Sequence, residues 1–256
     1  MKMVRYQGKG VYGAIAIGKA LKWKREDVQV KREKIEDVAQ ELERLRNAIN
    51  KAMEQLESIY EKALEEVGEA NAQIFEIHRM MLEDDDYNDA IVEMRQGQNV
   101  NAEYAVAVTA DNFAEMFSAI DDSYMQARAA DVRDILNRLI LCLKETGEKS
   151  LIADEKVIIC ADDLAPSETV TLEKDKVLAF VTAYGSSNSH TAILARNMNI
   201  PAIIGVGEEF LNAIEDGELA IANGFTGEFI LNPNEELLEE EKAKQRKKKK
   251  KKELLE

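Results

Sequence analysis

Cysteine, proline and histidine are scarce in this chain of 256 residues, which holds two, three and two of them. Cys142 and Cys160 stand far apart and form no CxxC. That excludes a disulfide framework and leaves too few ligands for a zinc site, so the thiols read as reduced. Positive charge is also in the minority. The net charge is −15, and the resulting surface argues against nucleic acid as the main partner, because phosphate backbones select Lys and Arg. It suits a basic protein partner instead. No apolar run is long enough to cross a bilayer, so membrane insertion is not expected. The N-terminal MKMVRYQGKG lacks the apolar core of a signal peptide. The expected location is the cytoplasm. With 45% hydrophobic and 32% charged residues, the chain is of globular composition and long enough for one or two domains.

All three prolines lie after a long helical block covering about 30–145. Its first stretch places Ile35, Val38, Leu42, Leu45, Ile49, Ala52, Leu56, Ile59 and Ala63 in alternating steps of three and four, the seam of a long packed helix. Further helices are expected near 72–83, 101–119 and 123–145. Helices apolar on one face and close in sequence bury those faces together as a bundle.

The flanks read differently. VYGAIAIGKA (11–20) alternates as a strand. After about 150 come the short runs KVIIC (156–160), VLAFVTA (177–183) and PAIIGVG (201–207), then GELAIANGFTGEFILN with Asn223-Gly224 as a turn. Strands alternating with helical segments give an α/β layer. The tail passes from Glu-rich sequence (235–241) into six lysines (247–252), which reads as a solvated charged helix. The GxGxxG at Gly8–Gly13 has no strand before it and no helix after it, so it is a turn and strand entry rather than a dinucleotide site.

His78 lies within a helical stretch, AQIFEIHRMMLEDDD, where a lone histidine is usually structural. His190 sits in GSSNSHTAIL (185–194), between a strand and a helix. Free N–H groups and the positive end of the dipole collect there. Such a position binds phosphate and disfavours a protonated ring. The chemistry allows a phosphorylatable histidine nucleophile and, equally, a capping or buried histidine. There is no GxSxG elbow for a serine hydrolase.

The flanks of His190 decide between them. DDLAPSETVTL (162–172), VTAYGSSNSHTAILARNMNIPAIIGVG (181–207), ARAADVRDILNRL (127–139), GKGVYGAIAIGKA and the LEDDD segment together resemble the N-terminal region of Enzyme I. That family is the phosphoenolpyruvate–protein phosphotransferase of the bacterial sugar phosphotransferase system. The resemblance runs from about residue 5 to the end. It implies an α/β phosphohistidine domain of the swivelling type, 1–22 plus 148–232, with an inserted all-α helical bundle at 23–147 that binds the carrier HPr. Residues 233–256 would be a charged linker helix toward a C-terminal barrel, where phosphoenolpyruvate and Mg²⁺ bind. No cofactor or metal is expected in the present chain.

The resemblance places the catalytic histidine on His190 and the hydroxyl that bonds its ring on Thr169. Asn188, Ser189, Thr191 and Arg196 become the phosphate loop. The family loop usually reads Gly-Gly-x-Thr-Ser-His, and here Ser186 and Asn188 replace the second glycine and the threonine. Met80, Met81, Asp84, Asp85, Tyr124, Met125 and Arg128 match the carrier-facing positions. Soft apolar residues rimmed by acids suit a partner with a basic rim. The SHTAILAR core is shared with pyruvate phosphate dikinase and phosphoenolpyruvate synthase, which makes a phosphohistidine domain of that kind the alternative enzyme. A non-enzymatic helical adaptor is the alternative of another class.

Overall fold

The computed structural model describes residues 2–23, 30–145, 155–187 and 189–253. The chain divides into two compact units. One comprises Glu26–Lys149 and Ala165–Val170, the other Met1–Arg25, Ser150–Leu164 and Thr171–Glu256.

The first unit is helical. Helix α1 (Val38–Val67) starts where the Asp37 carboxylate accepts from the N–H groups of Ala39 and Gln40, both at 3.0 Å, and ends at Gly68. The capping carboxylate satisfies two of the four N–H groups that a helix start leaves open. Four helices follow: α2 (Glu69–Glu83), α3 (Asp85–Gln98), α4 (Ala102–Ala119) and α5 (Ser123–Leu143). The short α6 (Pro166–Thr171) comes from much later in the chain. The α1 seam buries Leu45, Ala52, Leu56, Ile59 and Ala63 against Phe75 and Leu82 of α2, the alanines of α4 and Val132, Ile135, Leu139 and Ile140 of α5. Ile35 precedes the helix, because Asp37 sets its start.

Arg44 ties α1 to α4. Its guanidinium donates to both carboxylate oxygens of Glu103, at 2.8 and 2.7 Å, and to those of Glu41, at 3.1 and 2.8 Å. Burial works against ionising either acid, but the Arg44 hydrogen bonds outweigh it and hold both below the usual carboxylate range. A depressed carboxylate pKa contributes stability above the ordinary value, about 4.3 for Glu. That contribution disappears as pH falls through the folded value. The Arg44→Met variant is therefore expected to melt below the parent at pH 7, and the gap should close on acidification toward pH 3. A gap in melting temperature that stays constant over that range would contradict the assignment.

The second unit is built on one eight-stranded sheet: β1 (Val4–Gln7), β2 (Lys9–Gly10), β3 (Ile15–Lys22), β4 (Val157–Ala161), β5 (Val177–Thr182), β6 (Ala202–Ile204), β7 (Leu219–Asn223) and β8 (Glu228–Leu231), in the order β1-β8-β7-β3-β4-β5-β6-β2. Strands β3 to β6 are parallel, and β1, β7, β8 and β2 run antiparallel to their neighbours. Helix α7 (His190–Met198) connects β5 to β6, and α8 (Glu209–Ala213) leads to β7. Alternate residues serve opposite faces, as the pleat requires. Ala16, Ala20, Ala179, Val181, Ala222 and Phe229 share a core with Phe210 of α8. Ile15, Ile221 and Ile230 form the other face.

The sequence expectation of a strand over 11–20 shortens at its start, since β3 begins at Ile15. The GxGxxG is a tight chain crossing: a Cβ on Gly10 would stand 2.1 Å from the carbonyl oxygen of Gly224. The charged tail forms helix α9 (Glu235–Glu253), but it is not merely solvated. Leu237 and Leu238 pack on the second sheet face, and the buried Glu241 carboxylate accepts from Asn223 Nδ2 at 3.0 Å. Gln245 Nε2 donates to the carbonyl of Ile15 at 2.7 Å.

Candidate functional site

The site in the α/β unit is the loop from β5 to α7. Strand β5 is continuously apolar because helices and neighbouring strands bury it. Beyond it the chain stays stitched to the next strand: Ala183 N–H donates to the carbonyl of Ala161 and Tyr184 N–H to that of Asp162. Gly185 then turns the chain at φ +111°, a conformation that L side chains rarely adopt. Ser189 is the N-cap of α7; its hydroxyl accepts from Ala192 N–H at 3.3 Å, and its own N–H donates to the carbonyl of Ser186 at 3.0 Å.

His190 is the first residue of α7 and is half-buried. Thr191, next to it, is fully buried, and its hydroxyl has no hydrogen-bond partner among the described residues. Arg196 reaches back from the last turn of α7 and donates to the carbonyl of Ser187 at 2.8 Å, which fixes the middle of the loop. Asn188 lies outside the described residues. This arrangement places an imidazole at the positive end of a helix dipole, on a loop tied down at its start, middle and end. Such a position favours negative charge close to the ring. The Tyr184 hydroxyl donates to Glu208, and that bond pushes the phenol pKa up.

Thr169 belongs to the helical unit. It is buried in α6, where its hydroxyl donates to the carbonyl of Pro166 at 2.7 Å. His78 is fully buried on α2, with Nε2 3.5 Å from Asp131 Oδ1 and its ring edge-on to Phe75. It is part of the helical core. Among the described residues no three His, Cys, Asp or Glu side chains group to hold a metal ion.

A second feature lies in the helical unit. Met81, Asp84, Asp86, Phe113, Phe117, Val132 and Ile135 line a cavity of about 220 Å³. Met80 is 67% exposed and Met116 64%. Asp85 is exposed, and Met125 is half-buried, its N–H bonded to the Asp122 carboxylate that caps α5. The side chains of Tyr124 and Arg128 lie outside those described. Phe113, Met116, Phe117 and Ile120 escape a reading of the sequence. The available signal is an inversion of size along α4: Ala105, Ala110 and Ala114 are buried, while the two phenylalanines between and beyond them are only half-buried.

Residues 7–128 match the family described as PEP-utilising enzyme, N-terminal, and residues 153–227 match PEP-utilising enzyme, mobile domain. The chain is 40% identical over 225 residues to a phosphoenolpyruvate-protein phosphotransferase of Geobacillus stearothermophilus, covering 88% of the chain and 39% of that relative. With the protein of the same name from Bacillus subtilis (strain 168) it shares 37% identity over 239 residues, 93% of the chain and 42% of the relative. The chain thus spans about two fifths of the length of these relatives. Among solved structures it resembles the NMR solution structure of Enzyme I (nEIt) protein, with a TM-score of 0.76 and 36% identity, covering 95% of this chain and 99% of that one. It also resembles an N-terminal domain of Enzyme 1 - Nitrogen, with a TM-score of 0.60 and 25% identity, covering 93% of this chain and 98% of that one.

Proposed function

The chain belongs to the Enzyme I family, as a counterpart of its N-terminal region, and from that premise we propose that it is the phosphoryl-relay part of a phosphoenolpyruvate–protein phosphotransferase. His190 receives a phosphoryl group and passes it to a histidine of HPr, in the cytoplasm. The observation that carries this reading is the placement of His190 as the first residue of α7, behind the Ser189 cap.

The chemistry needs little beyond positioning and charge. An imidazole nitrogen of one protein attacks phosphorus with its lone pair, and the P–N bond to the other imidazole breaks, returning its electron pair to that nitrogen. Family analogy makes the His190 atom Nε2. The transferring phosphoryl spreads its charge over three oxygens, and the start of α7 offers them oriented N–H dipoles. Ser189 and Arg196 keep the loop in that orientation. Thr169 carries over from the family as the hydroxyl that orients the ring, and Thr169→Val is expected to slow transfer several-fold. An unchanged rate would remove Thr169 from the reaction.

In the family reading Mg²⁺ and phosphoenolpyruvate are handled together on the C-terminal part. The residues described do not fit such an ion, since no three of its usual side chains group together. The step between His190 and HPr is derived without it.

The helical unit supplies the docking face. The cavity beside Met80, rimmed by Asp84 and Asp86, suits an apolar knob on a basic-rimmed partner. Asp84→Asn with Asp86→Asn is expected to slow association with HPr about tenfold at low salt and to flatten its salt dependence. Stopped-flow association that is insensitive to salt in the parent would count against this face. The function itself is tested by mixing the chain with phosphorylated HPr and following both proteins by intact mass. Reversible movement of the phosphoryl group between the two is expected. A chain that never exchanges with HPr would belong instead with the dikinase-type domains.

A further inference from the structure

Helix α6 has six residues, far fewer than the roughly 12–15 that a helix needs to persist on its own. It is held from outside at both ends. At its start, Asp134 of α5 accepts from the Ser167 hydroxyl at 2.6 Å and from the Ser167 N–H at 3.3 Å. At its end, Lys62 of α1 donates through Nζ to the carbonyl of Val170 at 2.6 Å. A carboxylate at the N-terminus and an ammonium at the C-terminus both oppose the helix dipole with the favourable sign. Glu168 turns back to accept from Ala165 N–H at 2.7 Å, closing the first turn. Asp134 and Ser167 are both buried, and Val170 packs into the apolar core of the helices. Ala165–Val170 consequently cluster with the helical unit, while Leu164 on one side and Thr171 on the other cluster with the sheet.

Thr169 lies between the two clamps. Its hydroxyl donates to the carbonyl of Pro166, one turn earlier in the same helix, and its N–H donates to the carbonyl of Ala165. The position of Thr169 Oγ1 is therefore a function of where α6 is held, and α6 is held by Asp134 and Lys62. We propose that Asp134 and Lys62 are positioning residues for Thr169: through these two contacts the helical unit sets where the Thr169 hydroxyl is held. The proposal rests on the reading above, in which that hydroxyl orients the ring of His190. A helix with a single clamp could pivot about it; two clamps at opposite ends fix both its direction and its advance. Displacements of about 1 Å in a reacting array can cost up to about a hundredfold in rate.

The test uses the full chain and phosphorylated HPr, with transfer followed by rapid quench at saturating HPr. Ser167→Ala and Lys62→Met are each made alone and in combination with Thr169→Val. Each single variant is expected to slow transfer three- to tenfold without changing the HPr affinity, and Lys62→Arg should recover most of the rate. Because the clamps act through Thr169, either should add little once Thr169 is already valine; such non-additivity is the signature of one connected unit. Amide hydrogen exchange at Thr169 and Val170 should quicken in both clamp variants, while α1 and α5 keep parent protection. Parent rates in both clamp variants, or effects that multiply undiminished with Thr169→Val, would overturn the proposal. So would unchanged exchange in α6. A parent-like Thr169→Val alone would instead bring down the role of Thr169 in the reading above, and the proposal with it, so the two failures are told apart by that single variant.

Discussion

His190→Ala should accept no phosphoryl group from phosphorylated HPr while remaining folded. Transfer to this chain requires a neutral nitrogen nucleophile beside a fixed set of N–H dipoles, and His190 combines both as the first residue of α7. Its ring is only half-buried, so truncation leaves no large cavity and should cost about 1 kcal/mol or less in stability. The other histidine is no substitute. His78 is fully buried, 3.5 Å from Asp131 and against Phe75, in the middle of the helical core. Circular dichroism and melting temperature establish that the variant folds, and intact mass reads the label. Labelling of the alanine variant at the parent level would mean that another residue is the acceptor.

The second large effect concerns the scaffold that carries the docking face. Leu56 is fully inaccessible at the centre of the α1 seam. Removing three carbons there forfeits burial and leaves a cavity, which together cost about 2–5 kcal/mol. Against a typical domain stability of about 5–15 kcal/mol, Leu56→Ala should shift the urea midpoint of the helical signal markedly downward. A loss under about 1 kcal/mol would show that the helices close over the vacancy and that the seam is less tightly packed than its burial indicates.

That seam is also where the sequence is most legible. A step of three and four sustained from Val38 to Ala63 can be satisfied only by a helix with one buried stripe, and α1 buries that stripe. The strands KVIIC and VLAFVTA are legible for a related reason, since short runs of branched residues bounded by charge or glycine fit a sheet buried on both faces. The His190 loop can be read because three signals meet there: the end of an apolar strand, a run of cap-forming residues and the start of a new periodic segment.

What stayed hidden depends on contacts that local pattern does not encode. PSETVT is a polar hexapeptide whose partners Asp134 and Lys62 lie 33 residues from Ser167 and 108 from Val170. Nothing in its own composition assigns it to the helices. Phe113 and Phe117 look like ordinary core from their spacing, and only the packing of the smaller alanines shows that the bulky residues are turned partly outward. In α9 the surrounding charges mask Leu237, Leu238 and the buried Glu241, so a docked helix reads as a solvated one. The first two turns of sequence around Gly10 and Gly13 read as strand because small residues fit either; the close approach of Gly224 is what makes them a crossing.

Mapping the phosphoryl group on the unmodified chain tests the central claim most directly. The chain is incubated with phosphorylated HPr, digested at neutral to alkaline pH, and the modified peptide located by mass spectrometry. The account predicts one phosphoryl group per chain, on His190, lost in acid and retained in base. No incorporation, or an acid-stable group on Ser186, Ser189 or Thr191, or a group on His78, would contradict it.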